Sequence, residues 1–192
     1  MKRTIVAIND PAMIQEIKSL LALVDYQGLA FTGNGMEALR LLHRFEPDLM
    51  IIGRNLSGLN SSDLLQTLLS LHLCPTMVVL DADEHTLLAQ VVKAGPHQVV
   101  FYPLRAVDFG AAVLLAEERF KQERESADRV RHLEDELKAR KLIYQALLRL
   151  IQALGWDEEK AYTLLRSEAM AQRRSIRSLA LDIIKGNWFP DA

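Results

Sequence analysis

The side chains able to do chemistry in this sequence fall into two groups. One group stands where short apolar runs end: Asn9-Asp10, Gly53-Arg54, Asp81 and Tyr102-Pro103. The other is a cluster of cations. Residues 137–177 hold nine basic groups (Lys138, Arg140, Lys141, Arg149, Lys160, Arg166, Arg173, Arg174, Arg177) against four acids. A local +5 inside a chain of net charge −2 fits a polyanion partner, and it fits a solvated helix surface as well. Other chemistries find no residues to carry them. The five histidines (His43, His72, His85, His97, His132) lack metal-ligand spacing, and no Ser/His/Asp set or glycine-rich phosphate loop is present. Neither an enzyme nor a resident cofactor or metal is expected.

These groups have to be positioned by regular elements, and the first half alternates two periods. Residues 4–8, 48–53, 76–80 and 98–101 are short apolar runs and 29–32 a weaker one; the run 48–53 is of the kind buried on both faces of a parallel sheet. Between them, apolar residues recur at helical spacing: Ile14, Ile17, Leu20, Leu21 and Val24; then Met36, Leu39, Leu42 and Phe45; then Leu64, Leu65, Leu68 and Leu71; then residues 87–94. Five strands alternating with helices predict a doubly wound α/β domain over residues 1–118. Function in such a sheet gathers beyond the carboxyl ends of the strands, where the first group of polar residues stands.

The second half is helical from Ala106 onward. Phe120, Ala127, Val130, Leu137 and Tyr144 approximate a heptad seam among charged residues, which predicts a coiled-coil linker over 119–139 and a parallel homodimer through roughly residues 110–140, with intramolecular packing of the stripe as the alternative. Gly155 should stop a helix, Asp157 cap the next and Ser175 cap the last, giving helices near 140–154, 157–173 and 175–185 in a small bundle. Ala146, Ala161, Leu165, Ala169, Met170, Ala180 and Ile184 read as its core, and the terminal Trp188-Phe189-Pro190-Asp191-Ala192 as packing on it, with stacking on a base as the alternative.

Overall composition sets outer bounds. With 192 residues, 49% of them hydrophobic, the chain has material for a core and one further small module. Cys74 is the single cysteine, so no disulfide can form within the chain and a reducing, cytoplasmic setting is expected. No apolar run is long enough for a membrane helix or a signal peptide.

Residues 3–118 resemble the receiver domains of two-component response regulators. The resemblance rests on Asn9-Asp10 after the first strand, Pro47-Asp48-Leu49 leading into the third, Gly58 in the following loop and Ala94-Gly95 before the fifth. Receivers hold Mg²⁺ with an acidic pair and a phosphoacceptor Asp, assisted by a Ser/Thr and by a Lys before a cis-proline. This chain places Asn9 in the acidic pair, Gly53 at the acceptor position, Asp81 at the hydroxyl position and Tyr102 at the lysine position. Gly53 offers no oxygen to phosphorylate, and Asp10 alone is a poor Mg²⁺ site. The resemblance therefore implies a flavodoxin-like pseudo-receiver that binds a regulatory or sensor protein, with no phosphoacceptor and a cis Tyr102-Pro103 bond. Arg54, Asp10 and Asp81 form either an ion-pair lock across the former pocket or independent solvated charges.

Residues 133–185 resemble the ANTAR domain, the RNA-binding module of bacterial transcription antiterminators. The matching residues are Ile143, Ala146, Gly155-Trp156-Asp157-Glu158, Ala161-Tyr162, Leu165-Arg166, Glu168-Ala169-Met170, Arg173-Arg174, Ala180 and Ile183-Ile184. The resemblance implies a dimer that binds tandem RNA hairpins with six-residue loops, in a domain spanning 140–192. Stacking and phosphate contact then fall to Lys138, Arg140, Lys141, Arg149, Tyr162, Arg166, Arg173 and Arg174, and the dimer seam to Phe120, Ala127, Val130 and Leu137. Tyr162, Arg166 and Arg173, four and seven apart, are expected on one helical stripe. Leu147-Leu148 depart from the family, which has Lys followed by a small residue. A protein-interaction adaptor that binds no RNA is the alternative expectation.

Overall fold

The computed structural model describes residues 1–83 and 85–190. Asp191 and Ala192 of the expected packed tail lie outside the described residues. The chain forms two compact units, Met1–Arg124 and Glu125–Ala192.

The first unit holds five strands, β1 (Lys2–Ala7), β2 (Tyr26–Thr32), β3 (Leu49–Ile52), β4 (Thr76–Asp81) and β5 (Gln98–Tyr102). Helices α1 (Pro11–Leu23), α2 (Gly35–Phe45), α3 (Ser61–Leu71) and α4 (His85–Ala94) connect them. All pairings are parallel and the order is β2-β1-β3-β4-β5, the flavodoxin-like arrangement. Strand side chains alternate between faces, so one strand feeds two cores. Val6, Leu49, Ile51, Met77 and Val79 join α1 and Phe109 on one face. Ile5, Ala7, Met50, Ile52, Val78 and Leu80 join α2 and α3 on the other. The continuous apolar runs are the consequence of burial on both sides.

On α2 the buried face differs from the expected Met36-Leu39-Leu42-Phe45 stripe. Gly35, Ala38 and Leu42 are buried, whereas Met36 is exposed. A Cβ at position 35 would sit 2.1 Å from the Leu59 carbonyl oxygen. Close backbone approach selects small residues there, and they carry little hydrophobic signal.

Helix α5 (Ala106–Leu154) begins in the first unit and ends in the second, where α6 (Glu158–Ala171) and α7 (Ile176–Lys185) follow. The expected punctuation is present. Gly155 has φ +66°, Asp157 Oδ1 accepts from the Lys160 N–H at 2.8 Å, and Ser175 Oγ accepts from the Ser178 N–H at 3.2 Å. Ala146, Leu147, Leu150, Ala161, Leu165, Ala169, Leu179, Ala180 and Ile183 make one core, with Trp188 packed against it. Two expectations fail on α6. Met170 is 71% exposed rather than in the core, because it lies about 100° around the helix from Ala169, and Ala161, Leu165 and Ala169 already supply the inward face. The helix also ends at Ala171, not at residue 173. Arg173 takes φ +52°, with its N–H on Met170 O (3.1 Å) and the Arg174 N–H on Ala169 O (2.9 Å), the paired bonds of a Schellman cap.

Candidate nucleic-acid interface and phosphate pocket

At the carboxyl edge of the sheet, the polar residues are held by local structure. Asp10 is the N-cap of α1, and its Oδ1 accepts from the N–H groups of Ala12 (2.8 Å) and Met13 (3.0 Å). The Asn9 amide donates to the Asn55 carbonyl at 3.3 Å. Gly53 continues the sheet, its N–H bonded to Ala7 O at 2.8 Å, and its carbonyl accepts from Ser61 Oγ at 2.7 Å. A Cβ at position 53 would lie 2.8 Å from Ile8 Cγ1. Buried Ile8 thus occupies the space through which an acceptor side chain would leave the backbone. Beside Gly53 opens a cavity of about 510 Å³ with Leu65, Val78, Leu80 and Val91 among its walls.

Tyr102 precedes Pro103 through a cis peptide bond, as expected. Its phenol shares a hydrogen bond with Glu16, and partial desolvation together with the Glu16, Asp10 and Asp81 carboxylates pushes its pKa upward. Glu16 Oε1 in turn accepts from the Leu104 N–H at 3.0 Å. A neutral phenol among carboxylates stands where receivers present a cation. Among the described residues, no three His, Cys, Asp or Glu side chains converge as a metal site. An amide, a capping carboxylate and a glycine do not fit Mg²⁺, which demands near-octahedral oxygen ligands.

The candidate RNA residues separate into engaged and unengaged cations. Arg149 donates to the Ile183 carbonyl at 3.2 Å, tying α5 to the last turn of α7. Arg174 donates to Ser178 Oγ (2.8 Å) and pairs with Asp182, whose carboxyl it holds below the usual range. Lys138 lies between Asp135 (3.7 Å) and Glu134 (4.0 Å). Arg140, Lys141, Arg166 and Arg173 are exposed, and among the described residues their side chains have no ion-pair or hydrogen-bond partner. Tyr162 and Arg166 share one stripe of α6. Arg173 does not continue it, because the Schellman cap turns the chain first. Met170, expected in the core, instead follows Tyr162 and Arg166 at i+8 and i+4 on that exposed stripe. Its place one residue after the buried Ala161-Leu165-Ala169 series was the available signal. At the family's Lys position, Leu147 is buried in the bundle core, so the departure adds packing at the expense of a cation.

The expected seam divides between the units. Phe120 is buried in the first unit with its ring edge-on to His97, centroids 5.2 Å apart. It is therefore covered within its own chain and is withdrawn from the seam. Ala127, Val130, Leu137 and Tyr144 are exposed, and Leu133, not singled out in the sequence, is exposed with them.

Comparison with known proteins matches this division. Residues 131–184 match the family model of the ANTAR domain. Over 179 residues the chain is 24% identical to the transcriptional regulatory protein PdtaR of Mycobacterium tuberculosis, covering 93% of this chain and 87% of that protein. The signal receiver domain of a modulated diguanylate cyclase from Desulfovibrio desulfuricans superimposes with a TM-score of 0.58 at 17% identity, over 64% of this chain and 98% of that one. A response regulator receiver domain protein from Clostridium thermocellum gives 0.55 at 20% identity, again over 64% and 98%. The first unit has the receiver fold, and an ANTAR domain follows it. No helix among the described residues is long and apolar enough to cross a membrane.

Proposed function

We propose that this protein is an RNA-binding transcription antitermination regulator, without enzymatic activity, that acts as a homodimer in the cytoplasm. A partner protein, and not phosphorylation, controls it through the α/β unit. The observation that carries this reading is the pairing of an ANTAR domain with a receiver fold whose acceptor position is a glycine backed by Ile8. RNA hairpin loops offer unstacked bases and phosphates, which suit Tyr162, Arg166, Arg173, Arg140 and Lys141. Exposed Val107 and Leu114, seven apart on α5 within the first unit, offer an apolar surface to the regulatory protein.

Dimerisation is supported by Val130, Leu133, Leu137 and Tyr144. At spacings of three, four and seven they form an a/d seam in the second unit, and a parallel partner would cover it. Leu147 in the core, with Arg149 and Arg174 engaged inside the bundle, favours the second reading, an interaction adaptor that binds no RNA. Filter-binding titration of the full chain with synthetic RNA bearing tandem hexaloop hairpins, at several salt concentrations, separates the two. The antiterminator binds with a steep salt slope; the adaptor shows weak binding or none. Light scattering should give a dimer at micromolar protein, and a monomer once Val130 and Leu137 are both replaced by Asp.

A further inference from the structure

We infer that the turn between α6 and α7 is the element that reads the loop RNA, with Met170 set against a base and Arg173 and Arg177 against phosphates. The inference deepens the RNA-binding reading and rests on it. Arg177 contributes to the local charge of the sequence but is not among the residues carried over from the family resemblance.

Three residues in and beside this turn go against what their local structure favours. Met170 exposes 71% of a large apolar side chain. Arg173 adopts φ +52°, a left-handed conformation that glycine fills without a Cβ penalty, whereas Gly186 takes the corresponding place after α7. Arg177 brings a cation into the first turn of α7, where the helix dipole favours acidic groups. Among the described residues, neither the Arg173 nor the Arg177 side chain has a hydrogen-bond or ion-pair partner that would offset its placement. Natural sequences depart from local preference where function requires it, and here the departures fall within eight residues.

Charge and rigidity select the occupant. The opposite end of α6 opens with Asp157, Glu158 and Glu159, so a polyanion approaching the helix is directed to its carboxyl end. Arg174 is a positioning residue. Its guanidinium bonds to Asp182 and Ser178 on α7 and holds the Schellman turn against the following helix. The exposed thioether continues the Tyr162-Arg166 stripe and gives a flexible, polarizable contact for the ring of an unstacked base. A bare phosphate would leave Met170 without a role, and a duplex would keep its bases stacked. A single-stranded loop uses all three side chains.

The test uses the full chain and synthetic tandem hexaloop hairpin RNA, with Met170→Ala, Arg173→Gly, Arg177→Gln and, as control, Lys160→Gln at the acidic end of α6. Arg173→Gly separates function from folding, since glycine suits the left-handed position and the thermal midpoint should hold or rise. Met170→Ala should lose affinity by up to about tenfold with unchanged salt slope. Arg173→Gly and Arg177→Gln should each lower the salt slope by about one unit, and the control should bind as wild type. If wild type binds the RNA and the three turn variants bind equally well, the inference is overturned while the RNA reading stands. If wild type does not bind, both fall.

Discussion

The strand ends of the first unit and the α6–α7 turn of the second both gather polar side chains, and they use them in opposite ways. Asp10 caps a helix, the Asn9 amide bonds to a carbonyl, Tyr102 bonds to Glu16, and Gly53 is backed by Ile8. Each of these residues serves the fold. In the turn, Arg173 and Arg177 have no side-chain partner among the described residues, and Met170 faces solvent. The pocket has the pedigree of a site and residues spent on structure. The turn carries Arg173 and Arg174 from the ANTAR resemblance, and in and beside it Met170, Arg173 and Arg177 are placed against local preference. What remains unspent within the fold is the better guide to where a ligand binds.

Separate cores allow the comparison to be broken one side at a time. Leu165 is fully buried in the bundle core, so Leu165→Ala should destabilise the second unit by about 2–5 kcal/mol. Calorimetry should show the transition of the α/β unit unchanged. A single shifted transition for the whole chain would mean that the units do not fold independently. A smaller effect is expected from restoring the acceptor. Gly53→Asp drives a Cβ toward Ile8 and should cost about 1–3 kcal/mol, read as a lower urea midpoint. A variant as stable as wild type would show that Ile8 yields easily.

How much of this was legible in the sequence follows from side-chain size. The sheet was readable because strands buried on both faces leave continuous Val, Ile, Leu and Met runs. Its flavodoxin-like class and the cis Tyr102-Pro103 bond came with the receiver resemblance, which rests on Asn9-Asp10, Pro47-Asp48-Leu49, Gly58 and Ala94-Gly95. The face of α2 was hidden because Gly35 and Ala38 are selected for close approach, not hydrophobicity. Met170 was misplaced by residue type, and Arg173 by extending the helical period past a cap with neither Gly nor Asn to announce it. Phe120 matched the heptad count, but a count cannot reveal that His97 covers the ring.

His97 supplies a subtler contrast, since it is a buried titratable group within the first unit. Only 2% exposed, it accepts the Thr76 N–H at Nδ1 (3.0 Å), which leaves its proton on Nε2, 3.4 Å from Glu123 Oε2. Arg119 donates to the His97 carbonyl at 2.9 Å, and His72 adds a repulsive charge when protonated. Burial lowers its pKa, and Glu123 offsets part of that shift. The unfolded chain therefore takes up the proton first. The stabilisation is complete above the unfolded value of about 6.5 and is lost as pH falls toward the lower folded value. His97→Asn retains an acceptor for Thr76 and cannot titrate. Its unfolding midpoint should fall less than that of wild type between about pH 7 and pH 5. Equal falls would remove His97 from the account.

The proposal that the first unit takes no phosphoryl group while the second binds RNA has one direct test. The most direct measurement incubates the full chain with acetyl phosphate and Mg²⁺, records its intact mass, and then titrates it with tandem hexaloop hairpin RNA beside an untreated sample. The account predicts no phosphoryl adduct and superimposable binding curves. An adduct mapped to the strand-end pocket, accompanied by a changed RNA affinity, would contradict it.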